Sequence, residues 1–200
     1  MLDRTIPFKN IIMRCDSYQL QTVFLPCGFE IVPYQEGFEK FWATLEFEVG
    51  DFSSVEEAEA YFVDTYMHNP QQLLNRARFL LAPDGSVIGS CIAWEDVRQD
   101  SMVSSLHWLI VDERYHGMGL GKALCCEVMK IYKDSGSLPV YIHTQPWSWK
   151  AVLLYISLGF KLQKTDSFSH YTNEYLEAMS VLKSILSGKQ YEILVSCSED

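Results

Sequence analysis

"HGMGLGKAL", residues 116–124, places three glycines on alternate positions directly before a lysine and an apolar run. Glycine reaches backbone conformations closed to other residues, so neighbouring N–H groups can converge on one ligand. The N-terminus of a following helix adds partial positive charge, and the combination is typical of an anion-binding loop. Because a tight connection needs only one glycine, three of them favour the anion-binding interpretation.

Two well-known phosphate-binding motifs do not fit this loop. The P-loop needs a glycine five residues before its Gly-Lys-Ser/Thr, but His116 stands there and Ala123 follows the lysine. The dinucleotide fingerprint G-x-G-x-x-G ends on a lysine when counted from Gly117 and on a leucine when counted from Gly119. The loop therefore belongs to neither class.

Strands and helices are predicted on both sides of the loop. The β-rich run 101–111 precedes it, and an amphipathic helix is predicted from Leu120 onward. Two earlier β-rich runs flank the turn "PDGS" at 83–86, which predicts an antiparallel meander with 101–111. A strand at 29–34 and two helices come before this meander. After the loop we expect the strand "PVYIHT", the helix "SWKAVLLYISLG", the strand "FKLQKT", the helix "NEYLEAMSVLKSILSG" and a last strand "QYEILVS".

This order predicts the α/β class, with a mixed sheet and helices on its faces. The strand–helix–strand unit that contains the loop requires a right-handed parallel crossover, whereas the meander is antiparallel.

The loop resembles the acyl-CoA pyrophosphate loop of the GNAT superfamily of N-acetyltransferases. In that family the pattern runs Arg or Gln, two residues, Gly, one residue, then Gly or Ala. In "VDERYHGMGLGKAL" these positions hold His116, Gly119 and Gly121. His116 departs from the usual residue at a position that contributes partly through its backbone.

A second block supports the resemblance independently. The family's next helix usually carries Asn, then Ala, Tyr and Gly-Phe at fixed intervals. "SWKAVLLYISLGF" has Ala151, Tyr155, Gly159 and Phe160 at these positions, with Ser148 in place of Asn. The resemblance covers about residues 29–167, and the helix predicted before the last strand departs from the family's usual β-hairpin ending.

The resemblance implies a GNAT fold, a splayed mixed sheet flanked by helices, with acetyl-CoA as cosubstrate. It implies a single GNAT-like domain at 29–200 with an extra C-terminal helix, and an N-terminal extension at 1–28 packed on it. The residues it places against acetyl-CoA are Leu109, Ile110, Val111, His116, Gly117, Met118, Gly119, Leu120, Gly121, Lys122, Ser148, Ala151 and Tyr155.

Acyl transfer from a thioester to an amine needs a bound donor, a neutral amine, a stabilised oxyanion and a proton for the thiolate. The resemblance assigns to Tyr155 the role of the acid that protonates the thiolate. Without the second block, Tyr155 would be interpreted as a core tyrosine on an apolar helix. Direct attack by the amine needs no acyl-enzyme, and no cysteine lies in the loop.

Two residues compete for the role of general base. His107 lies on the predicted strand, where alternation puts it on one face with Ser105 and Leu109. Unperturbed imidazole titrates at about 6.5, which suits removing a proton through a water, and arylalkylamine-type family members resemble this chain in carrying histidine here. A structural histidine bonded across the sheet is an equally good interpretation. Glu95, at the end of the neighbouring strand, is the rival base, although a surface acid is the commoner case there.

Several further residues are candidates for the acceptor side. His143 either lines the acceptor site or faces a helix, and Trp147 and Trp149 either wall a pocket or belong to the core. In GNAT relatives the acceptor lid corresponds to the helices at 36–67. Their acids either attract a cation or face solvent: Glu36, Glu39 and Glu46.

Charge and composition limit the classes of partner and the cellular location that we expect. The formal net charge is −10 without a basic block, which argues against nucleic acid and is compatible with a cationic substrate. No apolar run approaches the roughly 20 residues of a membrane helix, and no signal-peptide pattern is present, so no membrane contact and a cytoplasmic location are expected. The six cysteines form no C-x-x-C pair and lack a histidine cluster, so reduced thiols and no metal are expected.

Together these observations predict an acetyl-CoA-dependent N-acetyltransferase acting on a small-molecule or peptide amine, as a monomer or homodimer. A GNAT-like module that binds or senses acyl-CoA without turnover is the alternative, because His116 and Ser148 both depart from the pattern. A nucleotide-binding protein of another fold is a third hypothesis.

Overall fold

The computed structural model describes residues 3–200, whose contacts divide them into two compact units. The first unit comprises Leu20–Trp94 and Leu106–Ile131. The second comprises the described N-terminal residues through Gln19, together with Glu95–Ser105 and Tyr132–Asp200.

The described residues form eight strands and seven α-helices. The strands are β1 Ile11–Cys15, β2 Glu30–Pro33, β3 Ala77–Leu81, β4 Val87–Arg98, β5 Ser101–Val111, β6 Val140–Thr144, β7 Lys161–Gln163 and β8 Ser198–Glu199. The helices are α1 Phe38–Val49, α2 Val55–Tyr66, α3 Pro70–Arg76, α4 Leu120–Ser135, α5 Trp149–Ser157, α6 Tyr175–Ile185 and α7 Gly188–Ser196.

In the first unit, α1 and α2 pack over the antiparallel strands β2, β3 and β4. Strand β3 lies between the other two, with Leu80 opposite Ile31 of β2 and Phe79 opposite Ser90 of β4. Burial of one apolar face of each helix is the main stabilising contribution. The fully or nearly fully buried side chains of this core are Tyr34, Trp42, Ala43, Ala58, Phe62, Tyr66, Leu73, Ala77, Phe79, Val87 and Ile92.

Local sequence signals set the ends of α1 and α2. Ser54 Oγ accepts a hydrogen bond from the Glu57 N–H and starts α2, while the Glu57 carboxylate accepts from the Ser53 N–H. Helix α1 is bounded by Gly37 and Gly50, whose φ values of 94° and 87° are left-handed. Glycine adopts this conformation at low cost, so α1 begins and ends where the sequence places these glycines.

In the second unit, β1 lies between β6 and β7 and runs antiparallel to both. Strand β5 pairs with β6 in parallel through Ser104 and Ser105, and β7 pairs with β8 in parallel, so the strands of this unit form a mixed sheet. The expected N-terminal extension at 1–28 thus contains a strand, Ile11–Cys15, whose apolar side chains are buried.

The predicted α/β class, with a mixed sheet flanked by helices, is confirmed. The expected last strand in "QYEILVS" is wrong, because these residues lie in α7. Ser187 and Gln190 form a reciprocal capping box that starts this helix, and helical spacing buries Leu194 while Ile193 and Val195 stay exposed. Helix α3, with Asn69 as its cap, was not predicted.

Three findings bear on the expected partners. No helix within residues 3–200 is long and apolar enough to cross a membrane. The described cysteines are all free thiols. Among the described residues, no three histidine, cysteine or acidic side chains group closely enough to hold a metal ion.

Candidate active site

The glycine-rich loop starts from a turn that is fixed at the end of β5. The Asp112 N–H donates to the Ile88 carbonyl at 2.7 Å, and the Asp112 carboxylate caps the 3-10 turn Glu113–Tyr115 by accepting from the Arg114 N–H. The Arg114 guanidinium bonds to the same carboxylate and lowers the pKa of Asp112. The strand-to-loop junction is therefore held by a charged pair.

The loop itself exposes its backbone at the start of α4. Residues 116–119 are all exposed, and Gly117 and Gly119 have left-handed φ values of 82° and 78°. The Ala123 N–H donates to the Gly119 carbonyl, which makes Gly119 the N-cap of α4. The N–H groups of the next three residues consequently have no partner within the helix and are available to an anion.

His116 occupies the position where the motif that the loop resembles has Arg or Gln. Its Nε2 lies 2.7 Å from the Val111 carbonyl oxygen, which can only accept, so Nε2 carries the proton and donates. The imidazole thus ties the start of the loop to the end of β5.

Strand β5 contains an irregularity at Trp108, whose φ of 49° is left-handed. His107 bonds to Tyr66 of α2, and the adjacent Trp108 ring packs against Trp42 of α1 and Tyr61 of α2. Consecutive residues of a regular strand point to opposite faces, so two neighbours that both contact the α1–α2 pair show that the alternation expected for β5 is interrupted.

Gly89 allows β4 to approach β5 closely beyond this irregularity. A Cβ atom at Gly89 would lie 2.6 Å from the Ile110 carbonyl oxygen and 3.3 Å from the Val111 Cα. Only glycine fits at this distance without a backbone shift, so the backbone of the segment expected to contact pantetheine is packed directly against β4.

The candidate base His107 is held by a buried tyrosine. Its Nδ1 lies 2.7 Å from the Tyr66 hydroxyl oxygen, and Tyr66 is fully buried. The Tyr66 ring meets the Trp94 ring edge-on, with centroids 4.8 Å apart. Both the position and the rotation of the imidazole are therefore restrained from one side.

Glu95, the rival base, belongs to the second unit, whereas His107 belongs to the first. Glu95 is half-buried and lines a surface recess. The other residues of the recess come from the start of β5 and the segment before β6: Met102, Val103, Ser104, Ser137, Leu138 and Pro139.

The second motif block lies entirely in the second unit. Tyr155 is buried on α5, with its ring centroid 5.9 Å from that of Phe160. Ser148 precedes α5 and accepts a hydrogen bond from Gln145 Nε2 at 3.0 Å. Ala151 is half-buried in the first turn of the same helix.

His143 is held by aromatic and amide contacts at the end of β6. Its ring stacks on Tyr171 with centroids 3.4 Å apart, and its Nε2 lies 2.8 Å from Asn10 Oδ1. Burial, with a smaller contribution from the charge of His170, lowers the pKa of His143 to about 4. This histidine is therefore neutral at physiological pH, and Phe8 covers both it and Trp147.

The structure thus gathers part of the predicted site in each unit. The first unit holds the loop residues His116, Gly117, Met118, Gly119, Leu120, Gly121 and Lys122, the strand residues Leu109, Ile110 and Val111, and His107. The second unit holds Glu95, Ser148, Ala151 and Tyr155. Tyr66 was not predicted as a site residue, because it continues the apolar face of α2 and its hydroxyl group gives no separate signal in the sequence.

Comparisons with known proteins identify the family of the chain. The model of the acetyltransferase (GNAT) family matches residues 38–160. An uncharacterized N-acetyltransferase of Mycobacterium tuberculosis is 27% identical over 131 residues, which cover 64% of this chain and 79% of that protein. A Mycobacterium bovis protein of the same description matches equally well.

Solved structures share the fold at lower sequence identity. A GCN5-related N-acetyltransferase from Sphaerobacter thermophilus superposes with a TM-score of 0.58 at 20% identity, over 78% of this chain and 49% of that chain. The chain thus spans about half the length of that structure. A putative GNAT acetyltransferase from Novosphingobium aromaticivorans gives a TM-score of 0.53 at 20% identity, over 78% and 61% of the two chains. The family match covers more than half of the sequence and includes both motif blocks, and the chain belongs to the acetyltransferase (GNAT) family.

Proposed function

We propose that the protein transfers an acetyl group from acetyl-CoA to a primary amine by direct attack of the amine on the thioester. The observation that carries this proposal is the exposed loop with left-handed Gly117 and Gly119, which opens onto the N-terminus of α4 in a chain of the acetyltransferase (GNAT) family. Backbone donors and a helix terminus together provide the partial positive charge that a pyrophosphate requires.

In this proposal the donor is bound mainly by backbone. The N–H groups of Leu120, Gly121 and Lys122 hold the pyrophosphate, and Lys122 adds a positive charge. The end of β5 pairs with the pantetheine amides, directly after the point where the left-handed φ of Trp108 interrupts the regular strand.

The reaction has one bond-forming step and two proton transfers. The lone pair of the neutral amine attacks the thioester carbonyl carbon, a C–N bond forms, and the C–S bond breaks. His107 accepts the proton that the nitrogen loses, directly or through a water, and later returns it to solvent. The Tyr155 phenol donates a proton to the CoA thiolate and is reprotonated from solvent.

Acetyl transfer itself is tested by following CoA thiol release with acetyl-CoA and a panel of primary amines, amino acids and peptides. We expect thiol release that depends on the amine, with the acetylated product identified by mass spectrometry. Absence of any acetylated product at saturating acetyl-CoA would contradict the proposal.

Tyr155→Phe tests the acid. We expect kcat to fall about 100-fold, within the range for general acid–base groups, while the affinity for acetyl-CoA measured by calorimetry is retained. Tyr191→Phe, on the half-buried face of α7, is the matched control. An unchanged kcat would remove Tyr155 from the mechanism.

His107 is favoured over Glu95 because Tyr66 restrains its orientation. We expect His107→Gln to lower kcat about 100-fold and Glu95→Gln to change it little. A larger loss in Glu95→Gln would transfer the role of base to Glu95.

A binding or sensing role without turnover is the second candidate, since His116 and Ser148 depart from the family pattern. Tight calorimetric binding of CoA together with no transfer to any amine would favour it. The chemistry is proposed to take place in the cytoplasm, with the protein as a monomer or homodimer.

A further inference from the structure

Two buried polar groups on α1 lack hydrogen-bond partners within the described part of the chain. Glu46 is 2% exposed, and its Oε1 is buried and unpaired. The Trp42 ring is fully buried, and its Nε1–H is also unpaired. The two residues are four positions apart in one helix, so they share one face a single turn apart.

Burial of the Glu46 carboxyl without a partner costs free energy unless another group binds it. A buried carboxylate without a partner is strongly disfavoured, and burial raises the pKa of Glu46 well above its usual range, with the charge of Asp51 acting in the same direction. An apolar residue at position 46 would avoid this cost. A cation bound beside Glu46 would remove it, because a paired carboxylate is stabilised in its charged form.

The surroundings of Glu46 favour a positive charge. Helix α1 ends at Val49, and its last turn carries no basic residue to offset the partial negative charge of the terminal carbonyls. Asp51 follows directly, with its N–H donating to the Glu46 carbonyl. A cation bound beside Glu46 would therefore be stabilised by the partial negative charge of the α1 C-terminus and by the carboxyl groups of Glu46 and Asp51.

Aromatic rings form the wall of the same region. The Trp42 ring centroid lies 5.7 Å from Phe52, 6.2 Å from Tyr61 and 5.4 Å from Trp108. These three outer rings are only partly buried, so they connect Trp42 with the surface. Aromatic faces attract ammonium groups, and tryptophan does so most strongly. A buried carboxyl one helical turn from a tryptophan that is surrounded by aromatic rings is the composition expected of a site for an alkylammonium ion.

This region also adjoins the candidate base. Trp108 follows His107 in the chain, and the Tyr61 ring lies 6.3 Å from that of Tyr66, which bonds to His107. The nitrogen that attacks the thioester must be neutral, so an ammonium ion held at Glu46 belongs to a different nitrogen of the acceptor.

We propose that Glu46 and the rings around Trp42 bind a second, cationic amino group of the acceptor, so that the substrate is an aliphatic diamine. Phe52 and Tyr61 move apart to admit the ammonium group, Glu46 pairs with it, and the far nitrogen is acetylated near His107. This assignment of a substrate class rests on the proposed acetyl transfer.

The test compares 1,4-diaminobutane with butylamine, which differ only in the second amino group. In the wild type we expect kcat/KM to be at least about tenfold higher for the diamine, as for a hydrogen bond to a charged group. Glu46→Gln keeps the side-chain shape but removes the charge, and it should abolish this preference mainly by raising KM for the diamine. Glu48→Gln, on the exposed side of the same helix, should keep it.

Binding measured without turnover separates this inference from the proposed function. Calorimetry should detect 1,4-diaminobutane binding to the wild type and not to Glu46→Gln. Binding through Glu46 with no acetylation would leave the site standing and contradict the proposed function. Acetylation of both amines with equal efficiency, or an unchanged preference in Glu46→Gln, would overturn the diamine assignment and leave the proposed function standing.

A second variant protects the test against misfolding. Glu46→Gln should unfold at the same or a higher temperature than the wild type, since glutamine is neutral at all pH values. If it proves unstable, Tyr61→Leu removes one partly exposed ring and should weaken diamine binding severalfold. Undiminished diamine affinity in Tyr61→Leu would count against the site.

Discussion

The Tyr66 hydroxyl oxygen lies 2.7 Å from His107 Nδ1, and this bond joins the end of α2 to the middle of β5. Tyr66 is fully buried, so the hydroxyl has a fixed position. If Nδ1–H donates to the hydroxyl oxygen, the lone pair of Nε2 is left for a proton from the acceptor. The tyrosine then acts as a positioning residue for the proposed base.

Tyr66→Phe removes this bond and keeps the ring. We expect kcat to fall about tenfold, a fraction of the effect of losing the base, with the KM for acetyl-CoA unchanged. In the His107→Gln background the same substitution should have no further effect on kcat, because the group that it positions is already absent. Additive losses in this double-mutant cycle would show that Tyr66 acts independently of His107.

Gly119→Ala tests the anion-binding loop. A Cβ at Gly119 would meet no atom within 4 Å, so the cost comes from the left-handed φ of 78°, about 1–2 kcal/mol. We expect the loop to shift and the calorimetric affinity for acetyl-CoA to fall about five- to thirtyfold, the equivalent of that energy.

Gly188→Ala is the matched control for this substitution. Gly188 also has open space around its Cα, but it starts α7 and has no left-handed φ. Its replacement should leave acetyl-CoA affinity unchanged. If both substitutions changed the affinity for acetyl-CoA equally, the left-handed conformation of Gly119 would have no specific part in donor binding.

The amino-acid sequence predicts the loop and its helix because their signals are local. Gly119 and the apolar spacing from Leu120 act within a few residues, and the structure places α4 where they indicate. The secondary structure of "QYEILVS" depends instead on the cap at Ser187 and on burial of Leu194. These favour a helix more strongly than the β-rich composition favours a strand. Pairing of residues over 100 positions apart, as between β1 and β6, leaves no periodic signal.

Some residues of the candidate site can likewise be predicted from local sequence, and others cannot. Motif spacing makes Tyr155 a candidate, whereas the hydroxyl of Tyr66 and the unpaired carboxyl of Glu46 become visible only through their neighbours in space. The positive φ of Trp108 is a property of the packed strand, so the alternation counted along "SLHWLIV" could not foresee it.

The stability of the second unit should depend on His143 in mildly acidic solution. The pKa of His143 is lowered to about 4 in the folded protein, mainly by burial, and rises to an ordinary value of about 6.5 on unfolding. Between these pH values the unfolded chain binds a proton that the folded chain does not. Stability is therefore lost as the pH falls through this window, by about 3 kcal/mol at most.

His143→Gln removes this titration and keeps a donor for Asn10. Denaturant unfolding between pH 7 and 4 should show a smaller loss of stability in the variant than in the wild type. Above pH 7 the two proteins should have parallel pH dependences, since His143 is then neutral in both states. Identical slopes below pH 6.5 would show that His143 is not the responsible group.

Gly89→Ala should damage stability and donor binding together. The new Cβ would lie 2.6 Å from the Ile110 carbonyl oxygen, so β4 and the end of β5 must separate, at a cost of about 1–3 kcal/mol. Because Ile110 and Val111 belong to the segment proposed to pair with pantetheine, the affinity for acetyl-CoA should also fall. Leu182→Ala, a buried truncation on α6, is the control that lowers the unfolding temperature without touching this segment. If both variants lose the same acetyl-CoA affinity for the same loss of stability, the end of β5 has no specific part in donor binding.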